Sequence, residues 1–200
     1  MKKTNPVSSW LLRASLLAAL LVPSLAQAHP GMPGHVHSFN SGFAHPFGGL
    51  DHLCAMVAVG LWASQLGGRM RWLMPATFVS VMILGGALGM YGVNISGVEQ
   101  GIAASLLVLG VLVAAAVRLP TIVSAALIGL FALFHGFAHG AEMPATTAGL
   151  SYAIGFVIAT IGLHLAGLGL GMLAQRLDSR HLVRYAGAGI AAFGIYFCVA

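Results

Sequence analysis

Read for apolar and polar positions, the chain resolves into long hydrophobic blocks divided by short polar interruptions. Six blocks lie at about 47–67, 72–92, 97–117, 120–140, 147–170 and 182–199. Each is near the roughly 20 residues a helix needs to cross the hydrocarbon of a bilayer. None alternates in and out like a barrel strand, and a segment in lipid must close its own backbone hydrogen bonds. The pattern predicts an all-α membrane protein, a six-helix transmembrane bundle over 47–200. Upstream, Lys2, Lys3 and Arg13 flank a shorter apolar run from Leu16 to Val22, ended by Pro23 and Ser24. Ala26-Gln27-Ala28 then fits the small-x-small rule of a cleavage site. Residues 1–28 are therefore expected to be a cleaved N-terminal signal peptide. Residues 29–46 become a His-rich periplasmic arm that starts at His29.

Charge fixes the orientation. Only 6% of the residues are charged, against roughly 25% in soluble domains, so lipid must be the solvent. Nine residues are Lys or Arg, and three of these fall in the signal peptide. The other six are Arg69 and Arg71, Arg118, and Arg176, Arg180 and Arg184. All lie between blocks 1 and 2, 3 and 4, or 5 and 6. With the mature N-terminus in the periplasm, those loops are cytoplasmic, as the positive-inside rule requires. The protein is expected in the inner membrane with both mature termini periplasmic. Six cations against four carboxylates leave the mature chain at only +2, so the basic balance reports orientation and not a nucleic-acid partner. No phosphate-binding or dinucleotide-binding glycine loop is present, and two cysteines, Cys54 and Cys198, are too few for a disulfide framework.

The informative polar residues are histidines, nine in all. His29, His35 and His37 lie in a stretch too rich in Gly and Pro for a helix. They are candidates for metal capture, or equally a solvated tail. His45-Pro-Phe-Gly-Gly-Leu-Asp51-His52 spans the start of the first block. Pro46 suits a first helical turn, which places Asp51 and His52 one to two turns inside. Neighbouring helix positions point about 100° apart, so one of the two can hold an ion while the other orients a ligand. The fourth block ends in Phe134-His135-Gly-Phe-Ala-His139-Gly-Ala-Glu142. His135 and His139, four apart, share one helix face, the spacing of helical zinc sites. Glu99 opens the third block on the same side as an auxiliary candidate. Polar groups at this depth are costly unless something satisfies them. His164 lies deeper and reads as a packing residue on its own, and His181 as a loop residue. Cys54, Met56, Met32 and Met143 are soft atoms near the clusters, with apolar packing the simpler account. Pairs such as Gly97/Gly101, Gly136/Gly140 and Gly167/Gly171 are helix-packing signals.

With both motifs in view, the sequence resembles the HupE/UreJ family of nickel permeases. Its His-x5-Asp-His and Phe-His-Gly-x-x-His-Gly-x-Glu patterns are matched at every fixed position here, and the leader, the His29-Pro30 start and six spans are similar. The resemblance implies uptake of Ni2+, with Co2+ the second cargo, for hydrogenase or urease maturation proteins. It implies metal-handling roles for His45, Asp51, His52, His135, His139 and Glu142, and no catalytic cofactor. The expected activity is transport and not catalysis. Two alternatives stay open on the residues alone: an intramembrane zinc-dependent hydrolase, and a metal-binding accessory protein without transport. Imidazole and carboxylate suit several late first-row cations, and proton competition below a histidine pKa of about 6.5 should weaken uptake.

Overall fold

The computed structural model describes residues 38–143 and 147–199, and among these the only regular elements are α-helices. They are α1 (Phe39–Gly48), α2 (Leu50–Leu66), α3 (Met70–Met90), α4 (Val98–Ala115), α5 (Thr121–Glu142), α6 (Thr147–Arg176) and α7 (Arg180–Val199). The predicted leader and the capture histidines His29, His35 and His37 lie outside the described residues. Helices α3 to α7 are each long and apolar enough to cross a membrane. The expected first span is different. It is a pair, α1 and α2, bent by 84° at Gly49, and only if the pair counts as one span does the total reach six.

That break corrects two expectations. Residues 39–46, expected in the arm, are helical and continue as one helix to Gly48. Ser38 caps α1 through a reciprocal bond with Ser41: Ser38 Oγ accepts from the Ser41 amide and Ser41 Oγ from the Ser38 amide. Pro46 sits in the last turn of α1 and not in the first turn of a span. Asp51 and His52 consequently fall in the first turn of α2. Helix α1 turns Gly42 and Pro46 inward and leaves Phe39, Phe43 and Phe47, one turn apart, exposed.

The bundle pairs α3 with α5, α4 with α7, and both α1 and α2 with α6, while α2 also touches α3 and α4. Glycine permits the close crossings. A Cβ on Gly136 or Gly140 would run into the backbone of Met82 or Gly86 on α3. These residues therefore present bare backbone to α3. Gly97 departs from the expected packing role; it adopts the left-handed conformation that starts α4. The interior holds Trp62, Phe78, Met56, Met74, Leu106 and Leu109, all fully buried. Large apolar side chains such as Trp72, Ile122, Leu150 and Leu182 cover the outside, as on a surface solvated by lipid.

The ends differ in chemistry. Following the chain through alternating helices, every Lys or Arg among the described residues falls at the end where α2, α4 and α6 finish. There, side chains cap the carbonyls at the end of α4. Trp62 Nε1 donates to the Val117 carbonyl at 2.9 Å, Gln65 Nε2 to Val113 at 2.9 Å and Arg184 Nε to Ala114 at 2.7 Å. A cation on those last carbonyls also meets the negative pole of the helix. The opposite end, where α5 stops and α2 starts, carries His45, His52, His135 and His139. Cys54 and Cys198 are both free thiols, and Met56 is a core residue.

Candidate functional site

Helix α5 is unbroken through its histidine motif. Gly136 and Gly140 press against α3, and one position back on the helix His135 and His139 are turned away from that contact, into the interior. Both are buried. Helix α2 brings His52 to meet them. His139 Nε2 lies 2.6 Å from His52 Nε2. The ring centroids are 4.5 Å apart for His52 and His139 and 4.9 Å for His52 and His135. His45, from α1, stands edge-on to His139 with centroids 4.6 Å apart. Two imidazoles bound to one ion at about 2.1 Å per nitrogen have centroids roughly 4.5–5.3 Å apart. Three of the ring pairs fall in that range, while His45 and His52 stand 6.1 Å apart, outside it.

The hydrogen bonds fix a self-consistent set of tautomers. Asp51 Oδ1 accepts from the backbone amide of His52 at 2.8 Å and lies 2.9 Å from His52 Nδ1. A proton on that Nδ1 leaves His52 Nε2 as an acceptor, so His139 donates to it through Nε2–H. His139 Nδ1 then keeps a lone pair, and it has no partner. On the other side, Ser105 Oγ donates to the Ile102 carbonyl at 2.6 Å, so it accepts from His135 Nε2–H at 3.0 Å. His135 Nδ1 is likewise a buried nitrogen without a partner. Two lone pairs without a protein partner and one shared nitrogen pair suit a cation. Asp51 contributes by holding His52, since a carboxylate on Nδ1–H sets the ring and raises the basicity of Nε2.

The carboxylates are placed unevenly. Asp51 is beside the imidazoles, whereas Glu142 and Glu99 are exposed at the same end, in the last turn of α5 and the first of α4. Among the described residues, no three His, Cys, Asp or Glu side chains aim their ligating atoms at one point. An ion bound here would separate the His52 and His139 nitrogens from 2.6 Å to roughly 3 Å or more and rotate at least one further ring inward.

Four participants were not singled out in the sequence. Ser105 anchors His135; its signal was a lone hydroxyl in an apolar run. Tyr152 and Phe156 wall the site, with Phe156 4.4 Å from His139 and Tyr152 5.8 Å from His45, centroid to centroid. Gly49 makes the bend and also leaves room for the carboxylate. A Cβ there would lie 2.6 Å from Asp51 Oδ1 and 3.5 Å from His52 Nδ1.

The model of the HupE / UreJ protein family matches residues 17–197. The chain belongs to the HupE/UreJ family. It is 46% identical over 178 residues to Protein HupE of Rhizobium leguminosarum bv. viciae, covering 89% of this chain and 92% of that protein. No solved structure matches the chain. Family membership and five apolar helices of spanning length make this a multi-pass membrane protein.

Proposed function

We propose that this HupE/UreJ protein is a permease for Ni2+, with Co2+ as second cargo, that supplies metal for hydrogenase or urease maturation. The reading places it in the bacterial inner membrane after removal of residues 1–28. It takes α1 and α2 as one broken span, making six, with the histidine end and both mature termini in the periplasm. The observation that carries it is the 2.6 Å nitrogen pair of His52 and His139. This contact joins the two motifs, far apart in the chain, inside an apolar bundle.

The mechanism follows from the donors. The arm with His29, His35 and His37 captures the cation and delivers it to the histidine end. Glu142 and Glu99, exposed there, attract it electrostatically. The ion then replaces the proton bridge between His52 and His139. His135 and His45 supply further imidazole, and Asp51 holds His52 in place and offsets charge. Imidazole and carboxylate suit nickel and cobalt, and affinity alone would favour copper, so geometry and supply must select the metal. Binding through His139 Nε2 would shift that proton to its Nδ1 with none released from a neutral ring, and uptake should fall in acid as protons compete for the rings.

The test is reconstitution of the full chain in liposomes with a nickel-sensitive dye inside. Nickel influx in the wild type and none in His139→Ala is the expected result. Wild-type vesicles as tight to nickel as empty ones would overturn the permease reading and leave a binding protein.

A further inference from the structure

His164, on α6, belongs to neither motif. Its side chain is fully buried, and both of its ring nitrogens lack a hydrogen-bond partner. A neutral imidazole carries one donor and one acceptor, and leaving each unmet costs about 1–3 kcal/mol. A position that needed only volume would be better filled by leucine. The histidine is therefore kept for its chemistry.

Its place suggests which chemistry. His164 lies 17 residues beyond the start of α6, about 25 Å along the axis, while His139 is in the last turn of α5. One aromatic ring separates His164 from the outer group. Phe78 of α3 is 5.8 Å from His135 and 5.0 Å from His164, centroid to centroid. Thr160, one turn nearer the histidine end, is buried with its hydroxyl 3.9 Å from Met82 Sδ. Met82, Phe78, Met74 and Met70 follow at four-residue steps on α3, all buried. A column of imidazole and thioether donors thus continues from the outer histidines past Phe78 toward the arginine end. The walls are rigid at this level: Gly60 of α2 lies against the His164 turn so closely that a Cβ would strike its backbone.

We propose that His164 is a second, deeper cation site, which receives a late first-row divalent ion from His135 past the edge of Phe78. The transfer is ligand exchange: a nitrogen lone pair of His164 replaces one from the outer group, and no electron changes hands. Methionine sulfurs along α3 accompany the ion as weak, soft donors. This proposal rests on the permease reading.

The experiment uses the full chain and Ni2+ in two assays: nickel bound at equilibrium in detergent, and influx into dye-loaded liposomes. His164→Leu and His164→Ala should slow influx about tenfold or more, the cost typical of a lost metal-handling group. Both should hold nickel at the outer group within about twofold of wild type, since the outer rings are held by Asp51, Ser105 and one another. His164→Met, which keeps a donor atom, should recover part of the flux. Wild-type influx in both variants, with His139→Ala blocked, would overturn this proposal and leave the permease reading standing. Loss of equilibrium binding together with flux in both variants would also overturn it, because His164 would then be structural. An inert wild type would overturn the permease reading itself.

Discussion

Helix α5 delivers His135 and His139 from one unbroken helix, whereas His45 and His52 come from two helices that meet at an 84° bend. The first half is held by backbone contact: Gly136 and Gly140 lie directly on α3. The second half is also packed by glycine, with Gly42 and Gly60 on the backbone of α6, but its two rings lie on either side of Gly49, and Asp51 holds one of them. The contrast teaches a division of labour. The α5 rings are fixed in place, with lone pairs exposed only to the interior. The α1–α2 rings sit at a joint where a small backbone rotation moves them against that fixed face. An ion must widen the His52–His139 gap, which lies between the two halves.

The comparison breaks most completely at α5. Replacing Gly136 by Val pushes a side chain into the backbone of Met82. Overpacking of this kind costs about 1–3 kcal/mol or more, and here no flexible side chain can move aside. The expected outcome is a clear fall in thermal midpoint in detergent, with nickel binding lost as α5 moves off α3. Gly162→Ala on α6, where a Cβ meets nothing within 4 Å, should leave both unchanged. Normal stability in Gly136→Val would mean that α5 is not anchored by this contact.

Asp51→Asn is the next largest. It keeps shape and removes the charge that sets the His52 tautomer. Mutations of such supporting groups typically cost 10–100-fold in metal affinity. Nickel affinity by calorimetry should fall within about that range, with thermal stability little changed. An unaltered affinity would show that His52 is oriented by its helix alone.

What could be read in the sequence divides along the same line. The five spans from α3 to α7 were legible because hydropathy reports burial in lipid, and an i, i+4 pair on a regular helix needs no further information. His135 and His139 were predicted together and are found together. The joint was not legible in the same way. Pro46 suits a span opening, while the structure has it in the last turn of α1, with the bend at Gly49. The Ser38/Ser41 cap was present in the sequence as a signal for the earlier helix, but the neighbouring Gly and Pro masked it. Ser105 was invisible for another reason. Its role depends on α4 passing His135, a tertiary fact that no local pattern carries. Glu142 and Glu99 show the reverse: correctly placed at the histidine end, they are outside the buried group.

Gly49→Ala sharpens the view of the joint. The added methyl would stand 2.6 Å from Asp51 Oδ1, so the carboxylate must shift away from His52. The backbone at Gly49, φ −109° and ψ 122°, is open to any residue, so the fold itself should tolerate the change. The expected result is nickel affinity lowered by about tenfold, less than for Asp51→Asn because the charge remains nearby. In the Asp51→Asn background the methyl should add little, since the contact it disturbs is already gone. Full additivity of the two changes would place the effect of Gly49 in the hinge and not in the carboxylate.

The smallest effect is expected on the fixed side, at Ser105. Its hydroxyl takes the Nε2–H of His135 and so keeps Nδ1 as the bare nitrogen. A neutral hydrogen bond contributes about 0.5–1.5 kcal/mol, so Ser105→Ala should weaken nickel binding only a few-fold. The sign is open to a direct check by nitrogen NMR on labelled histidine. Ser105→Ala should leave His135 as a mixture of tautomers, where the wild type shows one. If the wild type already shows both, the ring is not held by Ser105, and the rigidity assigned to the α5 half comes from its glycine contacts with α3 alone.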